Sequence, residues 1–150
     1  MMTFRYAPTP TPAHLHALTG QTQKGRPLIP LIVFGPSGSF SLDGLLDTGF
    51  DWTVFPLARA AQLGVDLDGA VVSPSLSVGG QSMAVSYLPL SLRVSDGVEI
   101  RRWTGLVGFA PLSTRYALLG TLGFLEFFSH RFFPDLDRIE LEANSRYRGT

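Results

Sequence analysis

From Arg26 onward the chain is a succession of short apolar runs, each closed within a few residues by a turn signal. Residues 27–34, Pro-Leu-Ile-Pro-Leu-Ile-Val-Phe, read as a first strand, and Gly35-Pro36-Ser37-Gly38 as a turn. Residues 40–47 form a second strand that becomes continuously apolar at Leu45-Leu46, so its end is buried on both faces. Thr53-Val54-Phe55 is a short third strand. Pro56 suits a first helical position, and residues 57–63 make a short helix stopped by Gly64. Residues 71–78 and 81–94 pair as a hairpin with Gly79-Gly80 at its tip. Leu88, Leu90, Leu92 and Val94 alternate with small or polar residues, the pattern of a half-buried strand, and Pro89 places that strand at an edge or a bulge. Residues 98–103 and 105–110 are two further strands, 116–120 leads into a short helix over 121–128, and 130–133 and 139–142 close the chain as a hairpin. The expectation is an all-β, small closed barrel with one or two short helices.

Length and composition agree with one compact domain. The chain has 150 residues, 45% hydrophobic and 16% charged. Twelve basic and 12 acidic residues cancel, so there is no electrostatic footprint for nucleic acid or an anionic membrane surface. The absence of cysteine excludes disulfides, thiol catalysis and cysteine-ligated zinc. The first residues lack the apolar run of a signal peptide, and no stretch approaches the roughly 18 apolar residues of a membrane span; the default expectation is a cytoplasmic protein. Residues 1–25 stand apart. Pro8, Pro10 and Pro12 alternate with Thr and Ala, which favours an extended, solvated arm ahead of a domain over 26–150. His14 and His16 in that arm lack the further ligands a metal needs, and no cofactor or metal is expected.

The chemistry lies in Leu45-Leu46-Asp47-Thr48-Gly49-Phe50-Asp51-Trp52-Thr53-Val54-Phe55-Pro56. A carboxylate directly after two large apolar residues is expensive unless it finds donors, is neutralised or serves a purpose. Gly49 lets backbone approach that carboxylate and offer its N–H, and Thr48 adds a hydroxyl. Asp-Thr-Gly alone is a common turn; the apolar pair before it and the Thr-Val-Phe-Pro strand after it make it specific.

With these neighbours the chain resembles the retropepsin-like aspartic proteases, the retroviral protease family and its bacterial relatives, over about residues 27–142. Residues 27–33 look like the family's N-terminal strand, 45–56 like its active-site loop, 77–82 (Ser-Val-Gly-Gly-Gln-Ser) like its flap tip, and 117–128 like its late apolar-apolar-Gly segment and following helix. The resemblance implies a homodimeric retropepsin-like barrel with Asp47 as the catalytic carboxylate. Thr48 would lock the two active-site loops together, Gly49 would bond substrate backbone, Asp51 would contact substrate main chain, and Gly79 and Gly80 would cover the cleft. The flap tip is shorter in glycine than in many relatives, and two positions depart from the pattern. Phe50 stands where the family usually has a small residue, which narrows the cleft or changes the side chains it prefers. Thr121 stands where many retroviral members have an arginine that pairs with the residue matching Asp51.

Acid-protease chemistry needs two carboxyls, one taking a proton from water and the other, protonated, polarising the scissile carbonyl. No second Asp-Thr/Ser-Gly is present: Asp43-Gly44, Asp68-Gly69 and Asp96-Gly97 lack both the intervening hydroxyl residue and the apolar approach. A second copy of the chain is therefore expected to supply the partner Asp47, with a peptide or protein as substrate. Trp52 and Val54 read equally as apolar subsite or as plain barrel core. The competing readings are a catalytically idle retropepsin-like module that dimerises or binds peptides, and an unrelated small barrel holding an apolar ligand.

Overall fold

The computed structural model describes residues 1–78 and 80–150. Twelve strands are described: β1 Met2–Arg5, β2 Ala7–Pro10, β3 Gln23–Arg26, β4 Leu28–Gly35, β5 Gly38–Leu46, β6 Thr53–Pro56, β7 Val71–Val78, β8 Gln81–Ser95, β9 Ile100–Ala110, β10 Ala117–Leu119, β11 Phe128–Phe133 and β12 Arg138–Ala143. Two short helices, α1 His16–Thr19 and α2 Ala58–Leu63, join them. Strands pair in the order β4-β5-β10-β6-β9-β8, and β8 returns to β4, which closes a six-stranded barrel without a free edge. The β5–β10 and β6–β9 pairs are parallel and the other barrel pairs antiparallel. β7 pairs outside the barrel on β8, so the β7–β8 hairpin extends the sheet past the closed barrel. No helix among the described residues is long and apolar enough to cross a membrane.

Alternate residues of the barrel strands point inward, as the period-2 pattern requires. Leu31, Val33, Leu42, Leu46, Phe55, Leu92, Val94, Val107, Phe109 and Leu119 belong to one buried cluster. Trp103 anchors the end of that cluster, edge-on to Phe124 at 5.3 Å and to Phe128 at 5.2 Å, and its indole N–H donates to the Gly123 carbonyl at 3.0 Å. α2 ends at Gly64 as its sequence indicates, with the glycine left-handed at φ 66°.

Four details differ from the sequence-based expectation. Residues 98–103 and 105–110 are not two strands; β9 runs unbroken through Gly105, whose missing side chain admits the Gly123 carbonyl. Pro56 is not the first residue of the helix but the last of β6, paired with Ala110. The helix over 121–128 is reduced to a single 3-10 turn, Leu125–Phe127, because Gly123 takes φ 90° and Phe128 already pairs with Ala143 in β11. Residues 1–25 are structured: β1 pairs with β12, Met2 and Phe4 are buried in the main core, and β2 pairs with β3. Alternation of apolar Met2 and Phe4 with Thr3 and Arg5 is the β signal that the neighbouring prolines obscured. Pro89 meets its expected condition in an unusual way. β8 pairs with β7 up to Tyr87 and with β4 from Ser91, so Pro89 falls between those two partners.

Candidate active site

β5 and β10 run side by side, with Leu45 opposite Leu118 and Leu46 opposite Leu119. The chain leaves β5 at Asp47, whose N–H donates to the Leu119 carbonyl at 3.1 Å. The turn then closes on itself. The Phe50 N–H reaches the Asp47 carbonyl at 3.2 Å, and the Gly49 N–H donates to Asp47 Oδ1 at 3.0 Å. Asp47 is half-buried, while Thr48 and Gly49 are exposed. The carboxylate thus has a fixed orientation and one charge-assisted backbone bond, and it keeps acceptor capacity for a further ligand.

The loop is braced from below. The Thr121 N–H donates to the Phe50 carbonyl and the Leu122 N–H to the Asp51 carbonyl, each at 2.9 Å, and Trp52 bridges Leu122. Gly120 makes this possible: a Cβ there would collide with the carbonyl oxygens of Phe50 and Trp52. The bracing segment is itself tied down. Glu126 accepts the Gly123 N–H at 2.8 Å through its carboxylate, and its N–H donates to Thr121 O at 2.8 Å. Asp51 is exposed and forms no ion pair among the described residues; Thr121 has no charge to offer it.

Beside the loop lies a second, smaller apolar cluster, separate from the barrel core. Val54, Val85, Tyr87 and Ala110 form its buried part, and Phe50, Trp52, Met83 and Leu112 pack on it half-exposed. Trp52 and Val54 therefore belong to this site-side cluster, not to the main core. The Trp52 and Tyr87 rings pack with centroids 5.1 Å apart. Phe50 turns its ring onto the same cluster. Burial pushes the Tyr87 phenol above its ordinary pKa, so it is neutral at physiological pH.

A retropepsin-like aspartic protease from Rickettsia conorii matches this chain with a TM-score of 0.55 at 18% sequence identity, over 77% of this chain and 88% of that one. The fold is retropepsin-like. EIAV protease in complex with the inhibitor HBY-793 matches at a TM-score of 0.47 and 18% identity, over 63% of this chain and 81% of that one. No family model and no curated protein matches the sequence.

In this retropepsin-like barrel Asp47, Thr48, Gly49, Phe50 and Asp51 sit on one braced loop. Gly80 lies in the turn of the β7–β8 hairpin with φ 79°, and Gly79 lies outside the described residues. The His130 ring packs on Phe132 at 5.6 Å. No group of three or more His, Asp or Glu side chains suited to a metal occurs among the described residues. Sequence reasoning missed Gly120 as the loop's support and Tyr87 as the floor of the site-side cluster. For Gly120 a signal existed, a glycine directly after the buried run Ala117-Leu118-Leu119.

Proposed function

We propose that the chain is one subunit of a homodimeric aspartic endopeptidase in which two Asp47 carboxyls, one from each copy, activate a water. The observation that carries this reading is the Asp47 carboxylate, held by the Gly49 N–H at 3.0 Å on a braced loop of a retropepsin-like barrel. A half-buried carboxylate with a fixed orientation and spare acceptor capacity suits a group that must hold water and share a proton. With a second Asp47 across a twofold axis, like charges in contact leave one proton on the pair.

In this reading the ionised Asp47 takes a proton from the water as its oxygen bonds to the scissile carbonyl carbon. The protonated Asp47 donates a hydrogen bond to the carbonyl oxygen. The tetrahedral intermediate then breaks its C–N bond, and the leaving nitrogen accepts a proton from a carboxyl. Thr48 joins the two loops, Gly49 and Asp51 hold substrate main chain, and the flap turns, Gly79 and Gly80 included, close over an extended peptide added as a strand.

Incubation with an unstructured protein such as casein between about pH 4 and 7, where a shared-proton carboxyl pair works, is expected to yield fragments. Asp47→Asn should abolish cleavage, with the dimer retained in sedimentation and the melting curve unchanged in shape. A second reading, a catalytically idle retropepsin-like peptide-binding or dimerisation module, is favoured by one observation, the exposed Asp51 without an ion pair beside Thr121. A folded dimer that binds peptides and cleaves none across that pH range would establish it instead.

A further inference from the structure

Tyr87 carries a hydroxyl that no described residue engages. The residue is 7% exposed, and its Oη finds no hydrogen-bond partner among the described residues. Native proteins seldom leave such a group unpaired, because a buried donor without a partner carries its full desolvation cost. The placement is equally specific. Tyr87 lies opposite Gly108 on β9, and the absent side chain there lets the ring lie on that strand's backbone, in the cluster it shares with Val54 of β6. Four half-exposed apolar side chains pack on that cluster: Phe50 and Trp52 from the Asp47 loop, Met83 from the β7–β8 hairpin and Leu112 from the segment before β10, with the Trp52 ring against Tyr87 itself.

We infer that Tyr87 determines specificity: a substrate side chain that parts the half-exposed cover of Phe50, Trp52 and Met83 reaches its otherwise buried hydroxyl, so this apolar cluster by the Asp47 loop selects a side chain with an apolar body and a hydrogen-bonding tip, an amide or a hydroxyl. The inference rests on the reading of the chain as a peptide-binding, retropepsin-like dimer. Apolar walls accept the body of the side chain and discriminate weakly among shapes, whereas a buried polar group rejects a ligand that leaves it unpaired. A neutral phenol both donates and accepts, so amide and hydroxyl tips each suit it. Pairing in a dry site also makes the bond stronger than in water.

The test uses the full chain carrying Asp47→Asn, which holds peptides without cutting them. Labelled peptides place, at each position in turn, one member of a near-isosteric pair: Asn or Leu, Gln or Met, Tyr or Phe. Fluorescence anisotropy gives the affinities. At one position the polar-tipped member should bind about ten-fold tighter, and adding Tyr87→Phe should erase that preference while the apolar member binds as well or better. Phe keeps the ring packing and removes the unpaired hydroxyl, so a melting temperature at or above that of the parent verifies the fold. A preference that survives Tyr87→Phe, peptides that bind with no such preference, or a folded dimer that binds no peptide each overturns the inference. Selective binding by Asp47→Asn, with no cleavage by the unmodified chain, removes the peptidase reading and leaves the subsite standing.

Discussion

Gly120 occupies a point where two carbonyl oxygens of the Asp47 loop, of Phe50 and Trp52, converge on the space a Cβ would fill. A methyl group there displaces backbone, not a flexible side chain. Gly120→Ala is expected to cost roughly 1–3 kcal/mol, the usual range for forced overpacking. In a chain of this size that lowers Tm by about 3–10 °C. Gly69→Ala, where an added Cβ meets nothing within 4 Å, is the control and should change stability by less than about 0.5 kcal/mol. Equal melting curves for the two variants would mean that the loop does not depend on this contact. Asp47 and Gly120 also mark how far a sequence discloses a site. Asp47 was legible because a carboxylate straight after Leu45-Leu46 is locally anomalous, and its Gly49 contact spans only two residues. Tyr87 was not. In the alternation of β8 it reads as one more core aromatic, and its meaning comes from Gly108 and Trp52, 21 and 35 residues away in sequence.

Among the elements, legibility followed the distance over which each one is specified. The barrel strands β4, β5 and β8 carry their alternation locally and were recognisable at nearly their observed bounds. Residues 121–128 carry an apolar pattern compatible with a helix, yet Phe124 and Phe128 are both drawn into the core around Trp103, and β12 claims the backbone from Phe128 onward. Tertiary pairing overrides a short helical pattern of this kind. β1 was hidden for the converse reason: its strand pairing is with β12, more than 130 residues on. One side chain ties β1 to the barrel. Asp96, in the turn after β8, accepts the Thr3 N–H at 2.9 Å, the Val98 N–H at 2.9 Å and the Glu99 N–H at 2.8 Å. The backbone bond from Glu99 is the largest of the causes holding its carboxyl below the ordinary aspartate pKa, while partial burial opposes it. A group whose folded pKa is depressed stabilises above its unfolded pKa and loses that contribution as pH falls through the folded value. Asp96→Ala should therefore destabilise by about 1 kcal/mol near neutral pH, the discount from larger values reflecting solvent screening of an accessible carboxylate. The gap between the two proteins in urea midpoint should narrow below about pH 4, the ordinary range of aspartate. A gap that is constant down to acid pH would assign the effect to the turn's packing and not to the charge.

At the scale of the whole molecule, the sequence indicated a small closed barrel, but not the strand pairing that closes it. The β4–β8 pairing that seals it joins Leu31 to Val94, and no local pattern encodes a contact of that span. The same limit applies to assembly: under the proposed function a single Asp-Thr-Gly needs a second carboxyl, and a second copy of the chain is its expected source. Subunit mixing answers that need directly. If the competent unit takes one Asp47 from each copy, a mixed dimer of unmodified and Asp47→Asn chains has a single ionisable carboxyl at its centre and is inactive. After exchange at fixed total concentration, cleavage should then fall with the square of the unmodified fraction, to about a quarter in an equal mixture under random twofold pairing. A chain that works alone, or a site in which the partner's Asp47 plays no part, instead retains about a half. Dilution makes an independent demand, because a site shared between copies must lose specific activity as the dimer dissociates, whereas a self-contained one keeps it. A linear mixing curve with activity indifferent to dilution would remove the two-carboxyl mechanism and leave the retropepsin-like barrel, with its braced Asp47 loop, in need of another role.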